Sequence, residues 1–416
     1  MQLTLRNVLD SARHILVAEY GAVLMDGTKD MTDIINKVVD GITGGREVEG
    51  QSPEEVREYV KARIIGLGPA DVLLKDPEVS EIMINGPKDI FIERNGVIEK
   101  AQGVEFENEQ EVMDVLDRIV RRCGRKINYS DPTVDARLGE MRVNAVIKPC
   151  ASVPYITIRR FVKKVFSTED FLKTGYFTEE IAEVLRYCVI GKANILVAGA
   201  TGCGKTTFMR WLCEHIPENE RLITIEDTKE LNLAREHLVS LETNEKADAA
   251  KLIINTLRMR PDRILLGEIR GAEALELLNA MGTGHEGSIS SIHTNLGNLS
   301  AIQRFVRAAA RAGTVSPEEI QAMISEILNL IIFLKRFPDG TRRLVSISQV
   351  LSNNGKPAFR DIYKYSPGRG HRFIQPLSEE LLEILSQNFM EELPKLPAFT
   401  GRETPAECSQ YFMKGA

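Results

Sequence analysis

Nine consecutive residues near the middle of the chain, Gly199-Ala200-Thr201-Gly202-Cys203-Gly204-Lys205-Thr206-Thr207, carry the spacing G-x-x-x-x-G-K-S/T. Glycines at these positions let backbone N–H groups converge on a polyphosphate, and a following helix N-terminus adds partial positive charge. Lys205 is spaced to reach β- and γ-phosphates, and the Thr206 hydroxyl to hold Mg2+. Two acidic sites follow. Leu222-Ile223-Thr224-Ile225-Glu226-Asp227 is an apolar run ending in two carboxylates, and Arg263-Ile264-Leu265-Leu266-Gly267-Glu268 is another ending in one. Carboxylates at strand ends can polarise an attacking water or, through water, hold a cation. The residue before Glu268 is Gly267, where a P-loop enzyme usually has an aspartate, so the load falls on Glu226 and Glu268. Two histidines come next, in Gly282-Thr283-Gly284-His285-Glu286-Gly287 and Ser290-Ser291-Ile292-His293-Thr294-Asn295. They flank a short strand of small residues, a placement suited to a γ-phosphate sensor or a subunit contact.

The elements that must position these groups are legible around them. Asn194 to Ala198 is a short apolar run that reads as a buried parallel strand, and Thr206 to His215 reads as the helix after the loop. Strands are expected at 194–199, 222–226, 238–241, 263–268 and 287–292, alternating with helices, which predicts a mostly parallel α/β sheet. A strand at 329–335 should turn at Asp339-Gly340 into 343–350, and Pro/Gly punctuation from about 366 leaves one more helix near 378–390.

Upstream, residues 1–65 read as a helical module, with Ser52, Pro53 and Glu55 forming a capping box. From 66 to 162 the texture is α+β. Short strands surround Asn85-Gly86-Pro87, and a hairpin signal lies at Arg94-Asn95-Gly96-Val97. A helix follows from Glu109 to Arg122, and two alternating strands cover 141–147 and 155–161. Residues 163–175 form the expected linker, 176–365 the P-loop domain and 366–416 a tail. The chain of 416 residues is 43% hydrophobic and 27% charged, with a net charge of −6. That balance belongs to a soluble globular protein and argues against nucleic acid as a main partner. No apolar run approaches the ~18 residues a bilayer span needs, and no signal peptide is recognisable. Six scattered cysteines (Cys123, Cys150, Cys188, Cys203, Cys213, Cys408) form no C-x-x-C pair, so a reducing, cytoplasmic setting is expected.

The loop at 199–207, Thr224-Ile225-Glu226-Asp227, Leu266-Gly267-Glu268-Ile269-Arg270-Gly271 and Thr283-Gly284-His285…His293-Thr294 together resemble four boxes of one superfamily. They are the Walker A, Asp box, atypical Walker B and His box of the type II/type IV secretion ATPases. Arg258-Met259-Arg260-Pro261-Asp262, Glu81 to Pro87 and Arg142-Val143-Asn144-Ala145-Val146 resemble the CpaF-like branch, associated with Tad (Flp-type) pili. The resemblance covers about 65 to 350, and Gly267 agrees with the family's Walker B. It implies a homohexameric ring of two-domain subunits, a PAS-like domain hinged to a RecA-like motor domain. ATP would sit between the domains, on the cytoplasmic face of a membrane platform protein. It also implies that amino-terminal arginines reach the terminal phosphates; Arg142 and Arg159 lie at the matching places, with Arg137 and Arg160 as further candidates. The tetracysteine insertion of type II enzymes is absent.

The expected activity is ATP hydrolysis driving pilus assembly or secretion. Gly199 through Thr207 and His285 would line the nucleotide site, and Thr206 and Glu226 would hold Mg2+. Glu268 would activate water, and His293 and Arg270 would report the γ-phosphate. Closure about the 163–175 linker would exclude water and complete the site. Two rivals stand beside this reading. A RecA-like nucleic-acid motor is disfavoured by the net charge and the lack of a basic-aromatic stretch. A nucleotide-gated scaffold without hydrolysis is disfavoured by Glu226 and Glu268 together. A GTPase would need Asn-Lys-x-Asp, whereas Asn36-Lys37 is followed by Val38-Val39.

Overall fold

A computed structural model describes residues 3–26, 30–94, 96–139, 141–160, 165–244, 246–388 and 396–400. Expectations that fall on Phe161, Lys163, the end of the 378–390 helix, Cys408 and the last part of the tail lie outside those residues. The chain divides into two compact units, Met1–Lys163 and Lys164–Ala416.

The first unit opens with three helices, α1 (Leu5–Asp26), α2 (Thr32–Thr43) and α3 (Pro53–Ile64). Their facing sides carry Val8, Leu16, Ile35, Val39, Val56 and Val60, all fully buried. The capping box of α3 forms in both directions. The Glu55 N–H donates to Ser52 Oγ at 3.3 Å, and the Ser52 N–H donates to Glu55 Oε2 at 2.7 Å. Next come β1 (Val79–Ile84), β2 (Ile90–Arg94), β3 (Val97–Lys100), α4 (Glu109–Arg122), β4 (Thr133–Leu138), β5 (Met141–Val146) and β6 (Tyr155–Arg160). The strands form one antiparallel sheet in the order β3-β2-β1-β6-β5-β4. Helix α4, capped by the Asn108 side chain, buries Val112, Val115, Leu116 and Ile119 against it. Strand β4 was not foreseen, because Thr-Val-Asp-Ala-Arg-Leu alternates weakly and gains its pairing only from β5.

The second unit runs α5 (Thr168–Lys173), α6 (Glu179–Ile190), β7 (Ile195–Gly199), α7 (Lys205–Cys213), β8 (Leu222–Glu226), β9 (Leu238–Glu242) and α8 (Ala249–Thr256). It continues through β10 (Arg263–Ile269), α9 (Glu273–Met281), β11 (Ile289–His293), α10 (Asn298–Ala309), α11 (Pro317–Ile327) and β12 (Leu330–Arg336). It closes with β13 (Arg342–Asn353), β14 (Lys356–Ser366), β15 (Gly370–Phe373), α12 (Glu379–Ser386) and α13 (Pro397–Thr400). The nine-stranded sheet has the order β15-β14-β13-β12-β7-β11-β10-β8-β9, parallel from β12 to β9 and antiparallel from β12 to β15. This is an α/β, RecA-like P-loop architecture. Helices cover both faces, which is why β7, β8, β11 and the start of β10 read as unbroken buried runs.

Two stretches depart from expectation. The 163–175 segment, where described, is not extended chain: α5 folds with a Ser167–Asp170 capping box and buries Phe171. Phe171 belongs to an aromatic cluster with Tyr176, Phe177, Phe208 and Trp211 that buttresses α7 from behind. The sequence beyond 366 adds β15 to the sheet, and α12 buries Leu381 and Leu385 in the same core. Helix α12 falls where one more helix was expected, whereas β15 pairs with the neighbouring β14 from Ser366↔Gly370 onward and α5 packs on the aromatic residues of α7.

Candidate nucleotide site

In a parallel sheet all strands end on one side, so β7, β8, β10 and β11 bring their C-terminal residues together. The loop after β7 is built for close backbone approach. A Cβ at Gly199 would stand 2.5 Å from Cys203 Sγ and 2.7 Å from the Leu334 carbonyl oxygen, so only glycine fits. Gly202 (φ 71°) and Gly204 (φ 94°) occupy the left-handed region that glycine enters without strain. The Cys203 side chain is buried and burial raises its thiol, so this residue offers its backbone and not a nucleophile. Thr201 is exposed, while Ala200 carries a carbonyl that Lys205 uses and Thr207 sits half-buried in the first turn of α7.

Lys205 opens α7, buried, with Nζ donating to the carbonyls of Gly199 (3.1 Å) and Ala200 (3.2 Å). Its Nζ also lies 3.3 Å from both ring nitrogens of His293. His293 is the register partner of Gly199 at the end of β11, and its Nε2 is 2.8 Å from Glu268 Oε1. Burial, then the charges of Lys205 and Arg304, pushes the imidazole down to about 4. A neutral ring satisfies both neighbours when Nε2–H donates to Glu268 and Nδ1 accepts from Lys205. The other Glu268 oxygen accepts from Arg270 Nε (2.9 Å) and Nη2 (2.6 Å), while Arg270 Nη1 donates to Asp227 Oδ2 at 2.6 Å. One line of contacts therefore joins the loop lysine, His293, Glu268, Arg270 and Asp227.

Glu226 ends β8 beside that line. Its Oε1 accepts the N–H groups of Glu230 and Leu231, both at 3.0 Å, while Oε2 is buried with no hydrogen-bond partner. Burial raises the carboxyl from 4.5 to about 7, against the two backbone bonds that lower it. The same side chain explains Gly267: a Cβ there would lie 3.2 Å from Glu226 Cγ. The space an aspartate would enter from β10 is filled from β8. The carboxylate that touches Thr206 is Glu230, whose Oε2 accepts from Thr206 Oγ1 at 3.2 Å. Sequence reading passed over Glu230; its signal was a third acid four residues after Glu226.

His285 is placed elsewhere. It precedes β11, at the N-terminal end of a strand whose C-terminal end carries His293, and its Nδ1 lies 3.1 Å from the Pro261 carbonyl oxygen. The fold does not bring it to the phosphate loop of its own chain, a correction to the expected lining residues. Arg142 and Arg159 lie in the first unit as register partners on β5 and β6. Arg142 forms a two-point pair with Asp135 (3.1 and 2.5 Å), and Glu81 is the register partner of Arg159 on its other side. Arg137 donates to the Gly139 carbonyl, and Arg160 to those of Asp76 and Leu74.

The residues fit a nucleoside triphosphate with Mg2+. The loop is a cradle that side chains would fill, one ammonium and one hydroxyl sit at its rim, and Glu230 stands on that hydroxyl. The partnerless Glu226 oxygen is one further acceptor at the end of β8. Among the described residues no helix is long and apolar enough to cross a membrane.

Comparison with known proteins agrees. Residues 65–352 match the family described as Type II/IV secretion system protein. The probable conjugal transfer protein TrbB of Sinorhizobium fredii is 34% identical over 285 residues, 67% of this chain and 85% of that protein. The type IV secretion system protein VirB11 of Bartonella quintana is 30% identical over 326 residues, 67% of this chain and 90% of that protein. Among solved structures, the VirB11 ATPase of the Brucella suis type IV secretion system, crystallised with sulphate, is 28% identical. That alignment covers 67% of this chain and 94% of that one with a TM-score of 0.37.

Proposed function

Because the chain belongs to the type II/IV secretion system protein family, we propose that it is an ATP-hydrolysing motor that works as a homohexamer at the inner face of the cytoplasmic membrane. Its task in this reading is to power assembly of a type IV pilus of the Tad/Flp-like, CpaF branch, or a type II-like secretion step, against a membrane platform protein. The observation that carries the reading is the convergence of Lys205, His293 and Glu268 beside the 199–207 loop. A nucleotide-gated scaffold would have no need of a carboxylate oriented on both oxygens. The names of the relatives speak of conjugal transfer and of type IV secretion.

The residues divide the work as follows. Backbone N–H groups of Gly202, Cys203, Gly204 and Lys205 would receive the phosphates, with the Lys205 ammonium on the β- and γ-groups. Thr206, with Glu226 and Glu230 behind it, would hold Mg2+, which neutralises charge as the γ-phosphoryl group transfers. Glu268 is held on one oxygen by His293 and on the other by Arg270, so its lone pairs are aimed. It would orient and activate the attacking water. His293 contacts both Lys205 and Glu268, so a change at the phosphates would reach the carboxylate through one ring, with Arg270 passing it to Asp227. Arg142 and Arg159 would add cationic charge to the terminal phosphates.

The test is steady-state ATP hydrolysis as a function of protein concentration, with mass measured over the same range. Specific activity that climbs with hexamer formation supports a ring motor. Full activity in a monomer removes the ring from the proposal. Binding without hydrolysis at every concentration leaves the scaffold reading standing in its place.

A further inference from the structure

Strand β12 borders β7 on the side away from β11 and runs past the phosphate loop. Leu334 is the register partner of Gly199, and the chain continues to Arg336 before turning into β13 at Arg342. The turn is braced from within. Asp339 Oδ1 accepts from the Thr341 N–H (2.9 Å) and hydroxyl (2.7 Å), and the Phe337 N–H donates to the Thr341 carbonyl at 2.8 Å. Arg336 and Arg342 are register partners across this hairpin.

Both lie against the loop. Arg342 Nε donates to the Gly202 carbonyl at 2.9 Å. A Cβ at Gly202 would meet Arg336 Nη1 at 3.6 Å, and one at Gly204 would meet Arg342 Cδ at 3.7 Å and Tyr176 Oη at 3.8 Å. In a planar trans peptide the N–H of residue 203 points opposite to the carbonyl of residue 202. Drawing the Gly202 carbonyl out toward the hairpin therefore turns the Cys203 N–H into the concave side of the loop. There it makes a long hydrogen bond, 3.4 Å, to the Ala200 carbonyl, which a phosphate oxygen could replace.

We propose that the β12–β13 hairpin is the outer wall of the nucleotide site. In it Arg342 is a positioning residue that fixes the phosphate loop through Gly202, and Arg336 adds cationic field for the polyphosphate of a nucleoside di- or triphosphate. The proposal rests on the nucleotide reading above. It goes beyond it by assigning the role to a segment C-terminal to every box of the family resemblance.

The experiment is titration of the full chain with MgADP by calorimetry, comparing wild type with Arg342→Ala, Arg342→Lys and Arg336→Ala. Loss of one charge-assisted hydrogen bond predicts about tenfold weaker binding for Arg342→Ala. Arg342→Lys should recover little, because an ammonium does not reproduce the directed Nε–H. Arg336→Ala should weaken binding about threefold and flatten its dependence on salt. In ATP turnover, the larger share of the Arg342→Ala loss should fall on KM and the smaller on kcat. Binding within twofold of wild type for Arg342→Ala, or full recovery by lysine, overturns the positioning role. Should Arg342→Ala lower the melting temperature of the nucleotide-free protein, Arg342→Lys alone decides. If wild type binds no MgADP, the nucleotide reading itself fails, and that outcome is distinct from equal binding by wild type and variants.

Discussion

The two ends of the nine-stranded sheet use the same residue types for opposite purposes. At the N-terminal end Arg263 is fully buried, with Nη2 on Glu220 Oε1 at 2.9 Å and Nη1 on the Val189 carbonyl at 2.6 Å. Asn194 ties together the segments that lead into β7, β11 and β12 there. Its Oδ1 accepts from the N–H groups of Gly287 (2.9 Å) and Ser288 (3.2 Å), and its Nδ2 donates to the Ile327 carbonyl at 2.9 Å. His285 is also at this end, on a backbone carbonyl. At the C-terminal end Arg270 is half exposed, Glu226 buries an oxygen without a partner, and Lys205 is held by two carbonyls and a neutral imidazole. The first end closes its hydrogen bonding on itself. The second keeps charge and acceptors that a ligand can complete. Residue type alone does not separate a structural arginine or histidine from a chemical one; the strand end does.

The comparison breaks most sharply at Glu268. Glu268→Gln keeps the shape and the contact with His293 but removes the charge, and hydrolysis should fall by about 10²–10⁴ while ATP still binds. Lys205→Ala should instead lose binding itself, by roughly 10–100-fold for a charge-assisted contact. Turnover assays paired with calorimetry check both. Normal turnover by Glu268→Gln would strip that carboxylate of its role.

At the other end, Arg263→Ala leaves Glu220 almost buried and unpaired, at a cost of about 3–5 kcal/mol. Denaturant unfolding should show that loss, with the MgADP affinity of the molecules that remain folded unchanged. An altered affinity with intact stability would erase the distinction between the two ends.

Glu226 sharpens the same distinction through pH. Its carboxyl rises from 4.5 to about 7 because burial disfavours the charged form. An acid with a raised value contributes most stability below its ordinary range and loses that contribution as pH climbs through the folded value. The difference amounts to about 3 kcal/mol, withdrawn between roughly pH 4.5 and 7. Glu226→Gln, which can still accept the two backbone N–H groups, should gain on wild type as pH rises across that window. Denaturation at pH 5 and pH 8 without nucleotide or Mg2+ tests it. Equal gaps at both values would place the carboxylate in water.

How much of this was legible in sequence follows from how local each feature is. The 199–207 loop was readable because its chemistry is contiguous, and β8 and β10 because buried parallel strands are apolar throughout before their acids. Gly267 was noticed as a missing aspartate, yet its reason lies on another strand, in Glu226, and no spacing within β10 reveals that. Arg263 was seen only as the first residue of a strand. Its burial depends on Glu220 and on the Val189 carbonyl, 74 residues away. Strands β14 and β15 pair with their neighbours in the chain and were passed over all the same, because their mixed polar and apolar residues alternate weakly; helix α5 is short and draws its packing from Trp211 on α7. Glu230 was passed over because its value comes from facing Thr206 across the loop, which the chain arranges only once folded.

The smallest contrast is the most discriminating, because it uses one residue type on the two sides of one strand. His293→Ala removes the ring that links Lys205 to Glu268 and should lower turnover by about tenfold or more, since Glu268 loses the donor that aims one oxygen. His285→Ala removes a single contact with the Pro261 carbonyl, so within one chain it should cost about 1 kcal/mol of stability and leave single-site MgADP binding alone. The expectation holds only if each chain completes its own site. Turnover measured below and above the concentration at which the protein associates settles which is true. An unchanged His285→Ala rate at both concentrations makes this histidine purely structural. A loss confined to the associated state would mean that the N-terminal end of one sheet serves the nucleotide of a neighbouring copy, and the division between the two ends would then hold for the subunit but not for the assembly.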